Sequence, residues 1–187
     1  MKKMILLAAT LMLGYSGFAH TWNLDKAHSK LSFTITHMMV NDVEGMFKDV
    51  DAKIQATKPD FSDAVVTMTA KTASINTDND QRDEHLRGAD YFDATNYPTI
   101  TFSSKSIQKS GDKKYALTGD LTMHGITKTV TLDMVFRGQL LHPMLKKQVA
   151  GFKITGAIKR SDFKVGESSP MLGDEVVITA NGEFVQE

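Results

Sequence analysis

The sequence predicts an all-β protein of about eight antiparallel strands, closed as a barrel or folded as a sandwich, with one short helix. Apolar residues recur at every second position through most of the chain, and turn residues rich in glycine separate the runs. Only one stretch carries the capping and charge pattern of a helix.

The strands follow in order. Leu31, Phe33, Ile35 and His37 alternate with Ser32, Thr34 and Thr36, giving one apolar and one hydroxyl-rich face. Val50, Ala52 and Ile54 repeat the pattern, as do Val66, Met68 and Ala70, and then Ile100, Phe102 and Ser104 after Pro98. Tyr115, Leu117, Gly119, Leu121 and Met123 form the next run. His124-Gly125 turns it back into Val130, Leu132, Met134 and Phe136, because glycine takes positive φ without steric cost. Phe152, Ile154, Gly156 and Ile158 precede a last run from Val176, Ile178 and Ala180 toward Phe184. Ser110-Gly111-Asp112 and Asn181-Gly182 read as turns or bulges, and Gly138 to Gln148, aperiodic and containing Pro143, reads as a loop. Threonine-rich outer faces fit an antiparallel sheet solvated on one side, and closure removes its edges.

The helix is expected near residues 79–87, within Thr77 to Leu86 and its stop. Asp78 is the expected N-cap with Gln81 three residues on, Asp83 and Arg87 are spaced to pair, and Gly88 supplies the stop. A lone helix in such a protein is expected to close or brace one end, where a ligand would enter.

Residues 1–19 read as a secretory signal peptide. Lys2 and Lys3 open it, Ile5 to Leu13 is a short apolar run, and Gly17-Phe18-Ala19 places small residues where a signal peptidase cuts. The run is well short of the roughly 20 apolar residues that a membrane span needs, and no second one follows. Removing Lys2 and Lys3 from a chain of 22 basic and 22 acidic residues leaves a net charge of −2, which argues against nucleic acid as a partner. Cysteine is absent, so residues 20–187 must fold in an oxidising compartment on their core alone, and a lipid anchor on cysteine is excluded.

The inward set mixes Phe33, Phe102, Phe136 and Phe152 with Ala52, Ala70, Ser104, Gly119 and Gly156. That composition fits either an interlocked solid core or a barrel with room for an elongated apolar guest.

Several ordered motifs resemble the YceI-like family, the polyisoprenoid-binding proteins of bacterial periplasms. They are Trp22-Asn23-Leu24-Asp25 with His28-Ser29, Gly45-Met46-Phe47, Ser74-Ile75-Asn76-Thr77, and Arg82-Asp83-Glu84-His85-Leu86. Tyr91-Phe92-Asp93 with Tyr97-Pro98, Phe102-Ser103-Ser104 and Gly119-Asp120-Leu121-Thr122-Met123-His124-Gly125 continue the order. Gly151-Phe152, Arg160-Ser161-Asp162-Phe163 and Gly173-Asp174-Glu175-Val176 close it, so the resemblance spans Trp22 to Phe184. The segment from Leu140 to Lys147 is the least family-like part. The resemblance implies a lipocalin-like antiparallel β-barrel of eight strands with a long apolar tunnel for an isoprenoid or another long lipid or fatty amide. It further implies a periplasmic, non-enzymatic carrier without a cofactor, able to associate as a homodimer.

The residues expected to face that ligand are Phe33, Ile35, His37, Phe47, Met68, Ile100, Phe102, Leu121, Met134, Phe136, Phe152 and Ile154. Methionines such as Met68, Met123 and Met134 serve either an adaptable pocket or ordinary gap filling. Arg82, Asp83 and His85 form an expected polar rim that either recognises a headgroup or pins the helix to its neighbours. His28, His37, His85, His124 and His142 lack metal-site spacing, so no metal is expected. His124 reads as a turn residue, and His37 as a polar group aimed into the tunnel or a hydrogen-bonded core histidine. The alternative function is a metal-dependent or acid–base enzyme using His85, Asp83 and His28, although no nucleophile motif such as GxSxG is present.

Overall fold

A computed structural model describes residues 19–187, so the expected leader lies outside the described residues except for Ala19. The strands are β1 (His20–Leu24), β2 (Lys30–His37), β3 (Asn41–Phe47), β4 (Val50–Ala56), β5 (Val65–Lys71) and β6 (Ile75–Asn76). They continue as β7 (Thr99–Gly111), β8 (Lys114–Met123), β9 (Ile126–Leu141), β10 (Gln148–Lys159) and β11 (Leu172–Gln186). Each pairs antiparallel with its neighbours, and the sheet closes in the order β1, β4, β5, β7, β8, β9, β10, β11, where β11 returns to β1 through Trp22 opposite Gln186 and Leu24 opposite Phe184. β2, β3 and β6 prolong the staves begun by β1, β4 and β5, so the eight-stranded barrel is assembled from eleven segments.

Period-two alternation produces this wall directly. In β8 the inward positions Tyr115, Leu117, Gly119, Leu121 and Met123 are all buried while the residues between them are not. At Gly119 a side chain is impossible without rearrangement, since a Cβ would lie 2.5 Å from both the Phe102 ring and the Ser103 carbonyl. The turns at Lys113 and at His124-Gly125 take positive φ, as tight hairpins require.

Four expectations are corrected. β1, β3 and β6 have no counterpart among the predicted strands: β6 has two residues and β1 five, and in β3 the inward position between Val43 and Phe47 is Gly45, whose Cβ would sit 2.3 Å from the Phe33 ring. Gly138 to Leu141 belongs to β9 rather than to a loop, its alternation hidden because the hairpin leaves Leu140 and Leu141 both exposed. Asn181-Gly182 is neither turn nor bulge against β10 but the place inside β11 where the partner changes from β2 to β1. The helix α1 (Asp80–Arg87) is capped by Asn79, whose side chain accepts from the Arg82 N–H at 2.9 Å, while Asp78 takes a φ of 57°.

The barrel has two unlike ends. One carries α1, the β2–β3 turn and residues 160–171; the other carries the loop of residues 57–64 and the β7–β8 and β9–β10 turns.

Candidate functional site

The end bearing loop 57–64 is filled. Phe61 turns inward from that loop, with ring centroids 5.2 Å from Trp22, 5.0 Å from Phe136 and 4.9 Å from Phe152. Asp63 holds the loop by accepting from the backbone N–H groups of Thr57 at 3.0 Å and Lys58 at 3.1 Å. The Tyr115 hydroxyl donates to the Asp60 carbonyl. Edge-on and tilted aromatic packing at these separations plugs the barrel interior at this end.

Above Phe152 the barrel is open, and a cavity of about 530 Å³ extends to the helix end. That volume lies within the roughly 300–1,000 Å³ of small-molecule sites. β2 contributes Phe33 and Ile35 to its lining, with His37 at the rim, and β3 contributes Phe47. Met68 comes from β5, Ile100 and Phe102 from β7, Leu121 from β8, and Phe152 with Ile154 from β10. Met134 and Phe136 lie outside the lining, buried in the filled half. His37 is exposed, so it is neither a core histidine nor deep in the tunnel.

At the rim, α1 is bound to the chain that precedes it. Asp83 is buried, and its Oδ1 accepts from the Thr77 N–H at 2.8 Å and the Thr77 hydroxyl at 2.6 Å. Arg82 donates from Nε to the Thr77 hydroxyl at 2.7 Å and from Nη2 to the Thr77 carbonyl at 2.8 Å. Arg87 pairs with Glu84 at 3.1 Å, not with Asp83, and donates to the Ala73 carbonyl at 3.0 Å. Asp83 therefore pins the helix and does not reach the cavity, whereas Arg82 and His85 border it.

The trio of the enzyme reading is not assembled. Asp83 is occupied by Thr77, His85 is exposed with Asp90 4.0 Å away and its ring edge-on to Tyr91, and His28 sits on another part of the wall. His28 occupies the one-turn helix of Lys26–His28 between β1 and β2, its Nδ1 2.7 Å from Asp25 Oδ2. That hydrogen bond holds the Asp25 carboxyl below its ordinary value and His28 above its own. With Glu183 the two bring ligand atoms within 4.8 Å of one another, a grouping that spacing in sequence did not suggest. Asp25 is already committed there, since its other oxygen caps the turn at the Ala27 N–H. His124 does occupy a turn, and its ring also meets the Phe163 carbonyl at 3.1 Å.

Other lining residues escaped the sequence reading. Leu86, Tyr91 and Phe92 reach the cavity from α1 and the segment after it, with Phe92 edge-on to Phe47 at 5.8 Å. The Tyr91-Phe92 motif was visible but had no period to assign it a direction. Val165, Glu167, Ser169 and Met171 form the facing rim. They are tied down by the buried Arg160, which donates to the carbonyls of Val165 at 3.1 Å, Glu167 at 2.9 Å and Gly173 at 2.9 Å. A buried guanidinium satisfied by main-chain carbonyls positions a loop and leaves little capacity for a ligand. Lys26, Lys30 and Lys48 border the cavity where the wall is interrupted between β1 and β2 and between β3 and β4. Lys26 pairs with Asp51 at 3.4 Å and Asp49 at 3.5 Å, which raises its already high proton affinity.

Known proteins share this arrangement. The family model described as the YceI-like domain matches residues 22–184. A UPF0312 protein of Staphylococcus aureus is 37% identical over 169 residues, covering 87% of this chain and 96% of the relative. The crystal structure of Burkholderia cenocepacia BcnA superposes with a TM-score of 0.78 at 30% identity, over 86% of this chain and 98% of that one. The Campylobacter jejuni YceI protein gives 0.74 at 32% identity, over 100% of this chain and 99% of that one. A polyisoprenoid binding domain from Saccharophagus degradans shares the fold with a TM-score of 0.67 at 12% identity, over 89% of this chain and 98% of that one. By family model, sequence relatives and barrel topology alike, the chain belongs to the YceI-like family.

Proposed function

We propose that this protein binds one long-chain apolar or amphiphilic molecule in the barrel cavity and stores or transports it without chemical change. A polyisoprenoid, a fatty acid or a fatty amide fits this description. The observation that carries the reading is the cavity of about 530 Å³ under the helix end, walled by alternate residues of the barrel strands and stopped at Phe152. Burial contributes about 0.8 kcal/mol per methylene, so a hydrocarbon chain gains affinity there without directed bonds. Ordering of the chain offsets part of that gain. The polar border supports a head with acceptor oxygens: Lys30, Lys48 and Arg82 line it together with Lys26, which pairs with Asp49 and Asp51, and Glu167 is the one carboxylate among the described lining residues. The Saccharophagus relative is described as polyisoprenoid binding, which agrees with the same use of the fold. The reading places the protein in a bacterial periplasm, reached through the leader at residues 1–19. Pairing of two copies through a barrel face, implied by the family resemblance, belongs to it and is measured by sedimentation.

Organic extracts of protein purified from its native source should contain a stoichiometric long-chain lipid by mass spectrometry. The delipidated protein should take up isoprenoids, fatty acids or fatty amides. Ala180→Trp, which places an indole in the lining, should lower uptake by about tenfold or more at a stability cost of about 1–3 kcal/mol or less, so that the variant stays folded. A protein that arrives empty and takes up none of these ligands would end the carrier reading.

A further inference from the structure

The β9–β10 hairpin projects beyond the filled end of the barrel, where the cavity does not reach. Its tip exposes Leu140 at 59%, Leu141 at 58%, Met144 at 83% and Leu145 at 53% of their surfaces. Successive residues of a strand point to opposite faces, so the exposure of both Leu140 and Leu141 means that each side of this ribbon is apolar and uncovered. Such a concentration of large apolar groups on a surface marks an interaction site. The loop itself is ordered, with the His142 N–H donating to the Lys147 carbonyl at 2.8 Å and His142 Nδ1 accepting from the Leu145 N–H at 3.1 Å.

Charge decides what covers it. The chain has no Asp or Glu between Asp133 and Asp162, while Lys146 and Lys147 follow directly on the apolar tip and Arg137 precedes it. The opposite end also exposes an apolar turn, Met39 at 80% and Val40 at 82%. There Asp42 and Glu44 follow, and the segment from Leu31 to Phe47 contains no Lys or Arg. We propose that the Leu140–Lys147 tip seats in an anionic lipid bilayer surface, its leucines and Met144 among the upper acyl chains and its two lysines on the phosphates. A bilayer surrounds both faces of a ribbon, as a flat protein surface does not, and basic residues beside an apolar edge are what holds a segment at an anionic interface. Docked in this way, the barrel presents its cavity mouth away from that membrane.

The barrel closes entirely within residues 20–186, so the chain from Ala19 onward is tested and the apolar run of Ile5 to Leu13 cannot contribute. It should co-sediment with phosphatidylglycerol vesicles, weakly with phosphatidylcholine vesicles, and less as salt is raised. Lys146→Gln/Lys147→Gln should weaken binding to phosphatidylglycerol by about thirtyfold, and Leu141→Ser/Met144→Ser by about tenfold or more. Met39→Ser/Val40→Ser should change nothing. Equal binding to both lipids, or a loss caused by the Met39/Val40 variant instead, would overturn the proposal. So would an absence of vesicle binding, and a dimer that the Leu141/Met144 variant dissociates would then make a second copy the occupant. Lipid uptake by the cavity is a separate measurement, so either reading can fail alone.

Discussion

The two halves of this barrel share the same strands and the same alternation, yet one is solid and the other hollow. β10 shows the contrast within three residues: Phe152 packs on Phe61 and Phe136, and Ile154, the next inward position toward the mouth, faces the cavity. The difference comes from what the connections insert. Loop 57–64 drives Phe61 between Trp22, Phe136 and Phe152, whereas α1 lies across the other end with Leu86 at its margin, held from the side by Thr77. A barrel of eight strands thus becomes a container by being plugged at one end and merely braced at the other.

The sharpest test of this contrast is Phe61→Ala. The side chain is fully buried among aromatic neighbours, so its removal should cost about 3–5 kcal/mol in urea denaturation. Phe33→Ala, on a half-buried ring of the cavity lining, should cost clearly less stability and instead reduce ligand uptake. Equal costs at the two positions would mean that the cavity half is packed as tightly as the plug.

This asymmetry explains how far the sequence could be read. Alternation in runs such as Tyr115 to Met123 exposes the strands, their inward faces and the antiparallel all-β class, because period two is a direct consequence of the pleat, while the choice of barrel over sandwich rests on the family resemblance. The same alternation assigned Met134 and Phe136 to the cavity as readily as Phe102, since inward direction says nothing about height along the barrel axis. Phe61 carries no periodic signal because it stands alone in a turn-rich stretch, where a single aromatic is the one available sign. Lys26, Lys30 and Lys48 cannot be placed without knowing that the wall is interrupted between β1 and β2 and between β3 and β4. The sequence leaves Arg82 and Asp83 between headgroup recognition and bracing, and hydrogen bonding to Thr77 assigns Asp83 to the brace.

Asp83 yields the next effect in size. Asp83→Ala leaves the Thr77 N–H without its acceptor and frees one side of the helix, and an unsatisfied buried donor costs about 1–3 kcal/mol. His85→Ala, on an exposed ring, should stay within about 0.5 kcal/mol of the parent. Hydrogen exchange should quicken in α1 and Thr77 for the first variant and nowhere for the second. Should the His85 variant loosen the helix as much, the brace would have been assigned to the wrong residue.

The smallest effect belongs to the joint between the halves, where β1 of the plugged part gives way to β2 of the open part at Asp25 and His28. Their hydrogen bond raises His28 above its ordinary value of 6.5 and lowers Asp25 below its ordinary 3.8. The raised group contributes stability that is complete below pH 6.5 and disappears as pH climbs through its folded value. The depressed group contributes stability that is complete above pH 3.8 and disappears as pH falls through its own. Together they define a plateau between pH 3.8 and 6.5 with a decline on either side. The melting difference between the parent and His28→Gln should be largest on that plateau, and small throughout because His28 is exposed and solvent screens the pair. A difference that instead grew above pH 8 would mean that neutral His28 supports the joint by packing, and that the two halves are not linked there by charge.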